Sequence, residues 1–587
     1  MVRPFLPVFL AAAAVLTAQT AILPLKDVRA GMRGTGKTVF SGDHISEFQV
    51  EILGVLENVV GPKQSLILGR LSGGPLKETG VLQGMSGSPV YVEGKLVGAV
   101  AMAFPYAKEP IAGIRPIEEM LRVAAARPEK VARTPITLAD SDLTRNFPRR
   151  QGIFTGGTRL EDIATPLSFN GFTRATIEHF APQLRAIGLE PAQGISGGGR
   201  LSPRLGNPSS LQPGSMISVQ LMTGDLSVGA DGTVTYIDGN RVYAFGHRFL
   251  ASGSTALPFA RSEVLTLLPV LSTSFKISSP KELLGTILED RNTAVSGELG
   301  RVAPMVPVSI AVSRAGRKLD GYHMEMVGDR FLAPLLVQMA MFSAIDATER
   351  TMGASSLRVT GEIEFQGSAV PVKLNNMYAG DAGSAMLASL STAIPLAYVL
   401  QSGFESLQIR KVAVSIEAFD EKKQLQIDGV SAGRREVRPG EKVELTVVLV
   451  GENGGEVTRK LEYAVPPGAP SGPLYFTVAD GNTTNLTELR QVLGSPPRSI
   501  NQLISTVNSL RANTKAYVRV WRADPAFQLE GEDFPDPPPS VALILAGAQG
   551  VSGSITQTRN SKVAELEISA GEMVITGSKT IQVEVKE

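Results

Sequence analysis

The chain has 587 residues and a formal net charge of +1, with 57 Lys and Arg against 56 Asp and Glu, a balance that calls for neither nucleic acid nor an anionic membrane as partner. Hydrophobic residues make up 43% and charged residues 19%, which excludes a disordered chain and supplies the cores of about three to five domains. Cysteine is absent, which excludes a thiol nucleophile, a Cys-type zinc site, a lipidated N-terminal cysteine and a disulfide framework.

Arg3 followed by the apolar stretch from Phe5 to Leu16, with small residues at Ala18 and Ala21, reads as a signal peptide over 1–21. Export to the periplasm or outside a bacterial cell is therefore expected, with no stable membrane span after cleavage. Residues 22–126 alternate short β-like runs with turns: Phe48–Leu56, Ser65–Leu68, Val90–Val92 and Leu96–Met102, then a short helix over Ile117–Ala126 behind Pro116. Residues 127–212 read as a linker and a small mixed α/β insert, with a helix over Arg174–Ile187 and a Gly-rich hinge at Gly197–Gly199. A second β unit spans 213–320, in which Thr233–Ile237 and Val242–Phe245 flank an Asp238-Gly239-Asn240 turn. Region 321–410 carries apolar helices over Asp329–Thr348 and Met386–Leu400, both interrupted by polar residues or proline and so suited to burial. Residues 411–480 have the strand spacing of a β-sandwich, and 481–587 read as helices over Leu486–Leu493 and Ser499–Leu510 followed by a C-terminal β region. The fold class expected is mainly β.

The sharpest local feature is Gln83-Gly84-Met85-Ser86-Gly87-Ser88-Pro89, followed by a strand, the Glu93-Gly94 turn and a second strand. A nucleophilic serine needs its hydroxyl on a tight turn and backbone N–H groups aimed at the developing oxyanion. Gly84 and Gly87 permit that path, and the N–H groups of Gly84 and Ser86 are the natural donors. The base is sought among His44, His179, His247 and His323, which share no metal-ligand spacing; neither a metal nor a cofactor is expected. His247, in Ala244-Phe245-Gly246-His247-Arg248, ends a strand beside a glycine, where active-site residues sit. The other three suit a turn, an amphipathic helix and a polar loop.

The strings Gly31–Gly36, Val39–Gly42, Phe48–Glu51, Thr79-Gly80, Gln83–Pro89 and Gly98 onward to Met120 resemble the SpoIVB-type serine peptidases. Gly232–Thr235 and Phe245–His247 resemble, more loosely, the segment that carries that family's histidine. The resemblance implies a chymotrypsin-like double β-barrel, here with small α/β insertions and sandwich-like domains behind it. It also implies a Ser86 acyl-enzyme with His247 as general base and a protein or peptide substrate. Two departures stand out. The serine segment precedes the histidine segment, so the order looks circularly permuted; and the family's catalytic aspartate maps to Ser72, which carries no charge. Asp290 and Asp225 are other acids that could serve, a bare Ser–His dyad is a second possibility, and a catalytically inactive envelope scaffold is a third. In the last case the C-terminal β region would carry an envelope protein partner.

Overall fold

A computed structural model describes residues 20–125, 134, 142–149, 152–155, 158–194, 201–202, 204–314, 317–348, 353–492, 497, 499–524, 526–529, 532–534, 537–548, 555–558 and 560–587. Residues 1–19 of the expected signal peptide, the linker text of 127–140 apart from Thr134, and the Gly197–Gly199 hinge lie outside the described residues. The protein is mainly β.

Six strands form a closed antiparallel barrel: β1 (Arg33–Ser41), β2 (His44–Gly61), β3 (Gln64–Ser72), β4 (Pro89–Val92), β5 (Lys95–Ala103) and β6 (Ile111–Pro116). They run β4-β1-β2-β3-β6-β5 around the ring, and pairing of β4 with β5 closes it. Strand alternation delivers Phe48, Val50 and Ile52 of β2 to the barrel core, where they meet Ile67, Leu71, Val90, Val100 and Ile114. Closure demands close strand approach: a Cβ on Gly98 would lie 2.0 Å from the Arg115 carbonyl oxygen. A short helix α1 (Leu76–Thr79) precedes the Ser86 turn, and α2 (Ile117–Leu121) continues only as a 3-10 turn to Ala125.

Two strands, β7 (Gly152–Thr155) and β8 (Thr158–Asp162), extend the first sheet from β5. The small insert is β9 (Thr165–Asn170), α3 (Arg174–Ala186) and the parallel β10 (Leu189–Gln193), joined to the next barrel through β9. Thr173 caps α3 by accepting from the Thr176 N–H.

The second barrel contains β11 (Met216–Gly224), β12 (Ser227–Asp238), β13 (Arg241–Ala244), β14 (Gly253–Leu268), β15 (Phe275–Arg291) and β16 (Ala294–Leu299). The ring runs β11-β12-β13-β16-β15-β14, and β14 returns to β11. Two six-stranded rings side by side are the architecture that the resemblance implies.

From β11 the second sheet runs on through β17 (Met305–Arg314), β18 (Arg317–Val327), β19 (Ser355–Gln366), β20 (Val372–Gly380) and β21 (Gln408–Phe419), with α4 (Leu332–Thr348) and α5 (Ser384–Leu400) packed together on it. The apolar run of α4 is explained by burial: every residue from Leu332 to Ile345 is buried, apolar on all sides as an internal helix requires. Among the described residues no helix is long and apolar enough to cross a membrane.

The expected boundary at 411 falls inside β21, which pairs with β17 and β19 and so extends the barrel sheet. Its Val412, Val414 and Ile416 are drawn there by the α4–α5 core. The sandwich is assembled from residues farther along. One sheet holds 424–432, 442–451, 456–464 and 574–576; the other holds 436–437, 472–480, 515–522, 561–569 and 578–585. Their inner faces share one core that includes Val447, Phe476, Val518 and Val583.

Candidate active site

The Ser86 turn is pinned to the second barrel before it reaches the serine. Gln83 N–H donates to the Ser274 carbonyl at 2.8 Å, and Lys276 N–H donates back to the Gln83 carbonyl at 3.2 Å. Gly84 and Gly87 then take φ of +89° and +92°, the left-handed path that glycine alone adopts without strain. Three carbonyls of the turn are held by β12: Thr233 Oγ1 donates to Gly84 at 2.8 Å, Thr233 N–H to Ser86 at 2.9 Å, and Thr235 Oγ1 to Gly87 at 2.7 Å. The N–H groups of Met85, Gly87 and Ser88 donate to Leu82, Val100 and Met85. Among the described residues those of Gly84 and Ser86 donate to no carbonyl. Ser86 Oγ is fully buried and makes no hydrogen bond.

The His247 corner follows β13. Phe245 and Gly246 both have positive φ, +70° and +71°, and for Phe245 this is a strained conformation. The corner lies directly against the serine turn: a Cβ added at Gly87 would sit 2.0 Å from the Thr233 carbonyl oxygen and 2.5 Å from the Phe245 nitrogen. Gly246 faces Ala99, Val100 and Ala101 of β5, and its carbonyl accepts from Arg115 Nε at 3.4 Å. His247 is 2% exposed, and its Nδ1 lies 2.7 Å from the Arg248 carbonyl oxygen. A carbonyl only accepts, so Nδ1 carries the proton and Nε2 is the basic nitrogen of the neutral ring.

Among the described residues, none of those considered as a third member hydrogen-bonds the His247 ring. Ser72 is exposed at the end of β3, opposite Gln49. Asp225 is exposed and accepts from the His323 N–H at 2.7 Å. Asp290 is buried and directs its carboxylate at the loop after His247, accepting from Phe249 N–H at 2.8 Å, Leu250 N–H at 2.7 Å and Ser252 N–H and Oγ at 3.2 Å. Burial pushes the Asp290 carboxyl upward against the pull of those donors. His44, His179 and His323 are exposed.

One buried charge pair and two further buried ionisable groups went unread in the sequence. Arg115 and Glu119 approach to 3.5 Å with 1% and 5% side-chain exposure, and desolvation raises the Glu119 carboxyl. Lys276 is 2% exposed and donates to Thr38 Oγ1 at 2.8 Å; burial lowers its ammonium to about 7, opposed by the charge of Asp231. Asp231 is itself buried, accepts from Ser278 Oγ at 2.6 Å, and is raised by desolvation. The signal for Arg115 was available, since a lone Arg in an apolar strand with Glu four residues on is a buried pair in outline. Lys276 offered none: in Phe275-Lys276-Ile277-Ser278 alternation assigns lysine to a solvent face, whereas that face is the seam between barrels.

The model of the SpoIVB peptidase S55 family matches residues 13–121. That stretch contains the Ser86 turn and ends before His247, so over the serine half this chain is similar to a family of serine peptidases. No curated protein and no solved structure matches the chain.

Proposed function

We propose that this protein is an exported serine peptidase. Ser86 Oγ attacks the scissile carbonyl and His247 Nε2 takes its proton. The N–H groups of Gly84 and Ser86 hold the oxyanion. His247 then passes the proton to the leaving amine, and water, activated by the same imidazole, releases the acyl group. The observation that carries this reading is the seam itself: the turn with two uncommitted N–H groups abuts the corner whose imidazole is held by its Nδ1 proton. The Arg248 carbonyl takes the orienting part that a carboxylate plays in the full triad. It supplies no negative charge for the imidazolium, and loss of that charge costs about 10⁴ in turnover in the serine-protease template. The serine-first order is compatible with this assignment, since triads form in several chain orders. The test is mass-shift labelling by a fluorophosphonate. An adduct on Ser86 is expected, and its absence under conditions that label trypsin ends the proposal.

One observation favours a second reading, a catalytically inactive scaffold that binds peptides or an envelope partner. Ser86 is 0% and His247 2% exposed, so a peptide reaches them only after the seam opens. If Ser86→Ala supports the wild-type phenotype where deletion does not, binding is the function.

A further inference from the structure

Lys276 meets the Ser86 turn at two points and reaches it through Thr38 at a third. Its backbone N–H donates to Gln83. Its stem lines Gly84, where an added Cβ would be 3.2 Å from Lys276 Cδ. Its ammonium donates to Thr38 Oγ1, which also accepts from Ser88 Oγ at 3.0 Å. One buried side chain thus touches the turn before Ser86, beside the glycine whose N–H donates to no carbonyl among the described residues, and reaches Ser88 after it through Thr38. Facing it are Thr38 from β1, Ser88 after the turn and Asp231 from β12, and among these Asp231 is the titratable group.

We propose that Lys276 is a positioning residue for Ser86, gripping the Gln83–Ser88 turn and, when protonated, placing positive charge behind the Gly84 N–H. The inference rests on the peptidase reading. Its physical consequence is a conflict. Burial favours the neutral amine, with the ammonium lowered to about 7, while an oxyanion beside Gly84 favours the cation. The same proton therefore lowers stability and raises reactivity, the trade found where a functional site keeps a group the fold would rather lose.

The experiment measures the rate of fluorophosphonate labelling of Ser86 in the full chain between about pH 5 and 9, for wild type, Lys276→Arg and the neutralised pair Asp231→Asn/Lys276→Met. Wild type should show a bell, rising as His247 deprotonates and falling as Lys276 does. The arginine variant should lose the alkaline fall. The neutralised pair should also lose it, label about tenfold or more slowly at its best, and melt no lower than wild type at pH 6, since replacing a buried pair by neutral groups is often stabilising. A folded pair variant that labels as fast as wild type with the same alkaline limb overturns the proposal. So does a pair variant that fails to fold, because the pair is then a structural brace. If wild type labels at no pH, the peptidase reading fails separately, and amide exchange of residues 83–88 decides the grip. Protection reduced about tenfold in the pair variant at pH 6 sustains it, and unchanged protection refutes it.

Discussion

The serine and histidine halves of the seam are secured by opposite means. The serine turn is held by neutral hydroxyl and amide donors of β12, with one cation behind it. The histidine corner is held by charge: Asp290 gathers the loop that follows it, and Arg115, paired with Glu119, reaches the Gly246 carbonyl. In both halves the other barrel contributes, β12 and β15 to the serine and β6 to the histidine. Neither half is complete in an isolated barrel, so docking of the barrels and assembly of the site are one event.

Four single substitutions and one pH profile test that contrast. The largest effect is expected from Ser86→Ala, which leaves the fold in place and removes the proposed nucleophile; peptidase turnover should fall by at least about 10³, read with a labelled peptide library. Retained turnover would move the chemistry off this turn altogether. Gly87→Ala drives a methyl into the Thr233 carbonyl and forces a side chain into φ +92°. It should cost about 3 kcal/mol or more in denaturant unfolding, because the intruded atoms are backbone and cannot step aside. A cost near zero would mean the barrels do not meet at Gly87.

Asp290→Ala strips the buried N–H groups of Phe249 and Leu250 of their acceptor and should cost about 2–3 kcal/mol. Thr233→Val, by contrast, removes one neutral hydroxyl donor and should cost about 1 kcal/mol, slowing Ser86 labelling by less than the Asp290 change does. Equal effects would erase the distinction between a charged and a neutral half.

The last test is a pH slope. The Lys276 ammonium is lowered from 10.5 to about 7, so between those values the unfolded chain binds a proton the folded chain has released. Stability from this group therefore rises with pH across that window, by at most about 1.4 kcal/mol per unit, and is lost as pH falls through about 7. Unfolding of Asp231→Asn/Lys276→Met should show the flatter profile, and an unchanged slope assigns the proton elsewhere.

Most strands were legible because their cause is local. Phe48–Leu56 lies within β2, and its alternation from Phe48 to Ile52 sends one face of the strand to the barrel core. The helix expected over Arg174–Ile187 forms over Arg174–Ala186, since Thr173 caps it and a period of 3.6 runs through it. The helix behind Pro116 is shorter than its apolar text, because Val123 docks in the cluster with Tyr236 and Tyr243 and the chain tightens to 3-10. Val412–Ala418 reads equally well in a sandwich or a barrel sheet, and only the α4–α5 core settles which neighbour it takes.

For the site, sequence alone determined the serine turn, through glycines whose backbone angles no other residue adopts cheaply, and singled out one histidine at a strand end. Tertiary structure decided everything that brings those two segments together as a candidate site: the abutment of Gly87 on Phe245, the Arg248 carbonyl on Nδ1, Asp290 on the loop, the buried Arg115–Glu119 pair and the buried Lys276. The reason is that periodicity reports which side chains leave water. It does not report which face of one barrel meets another, and a polar residue on such a face reads like any residue on a solvated strand.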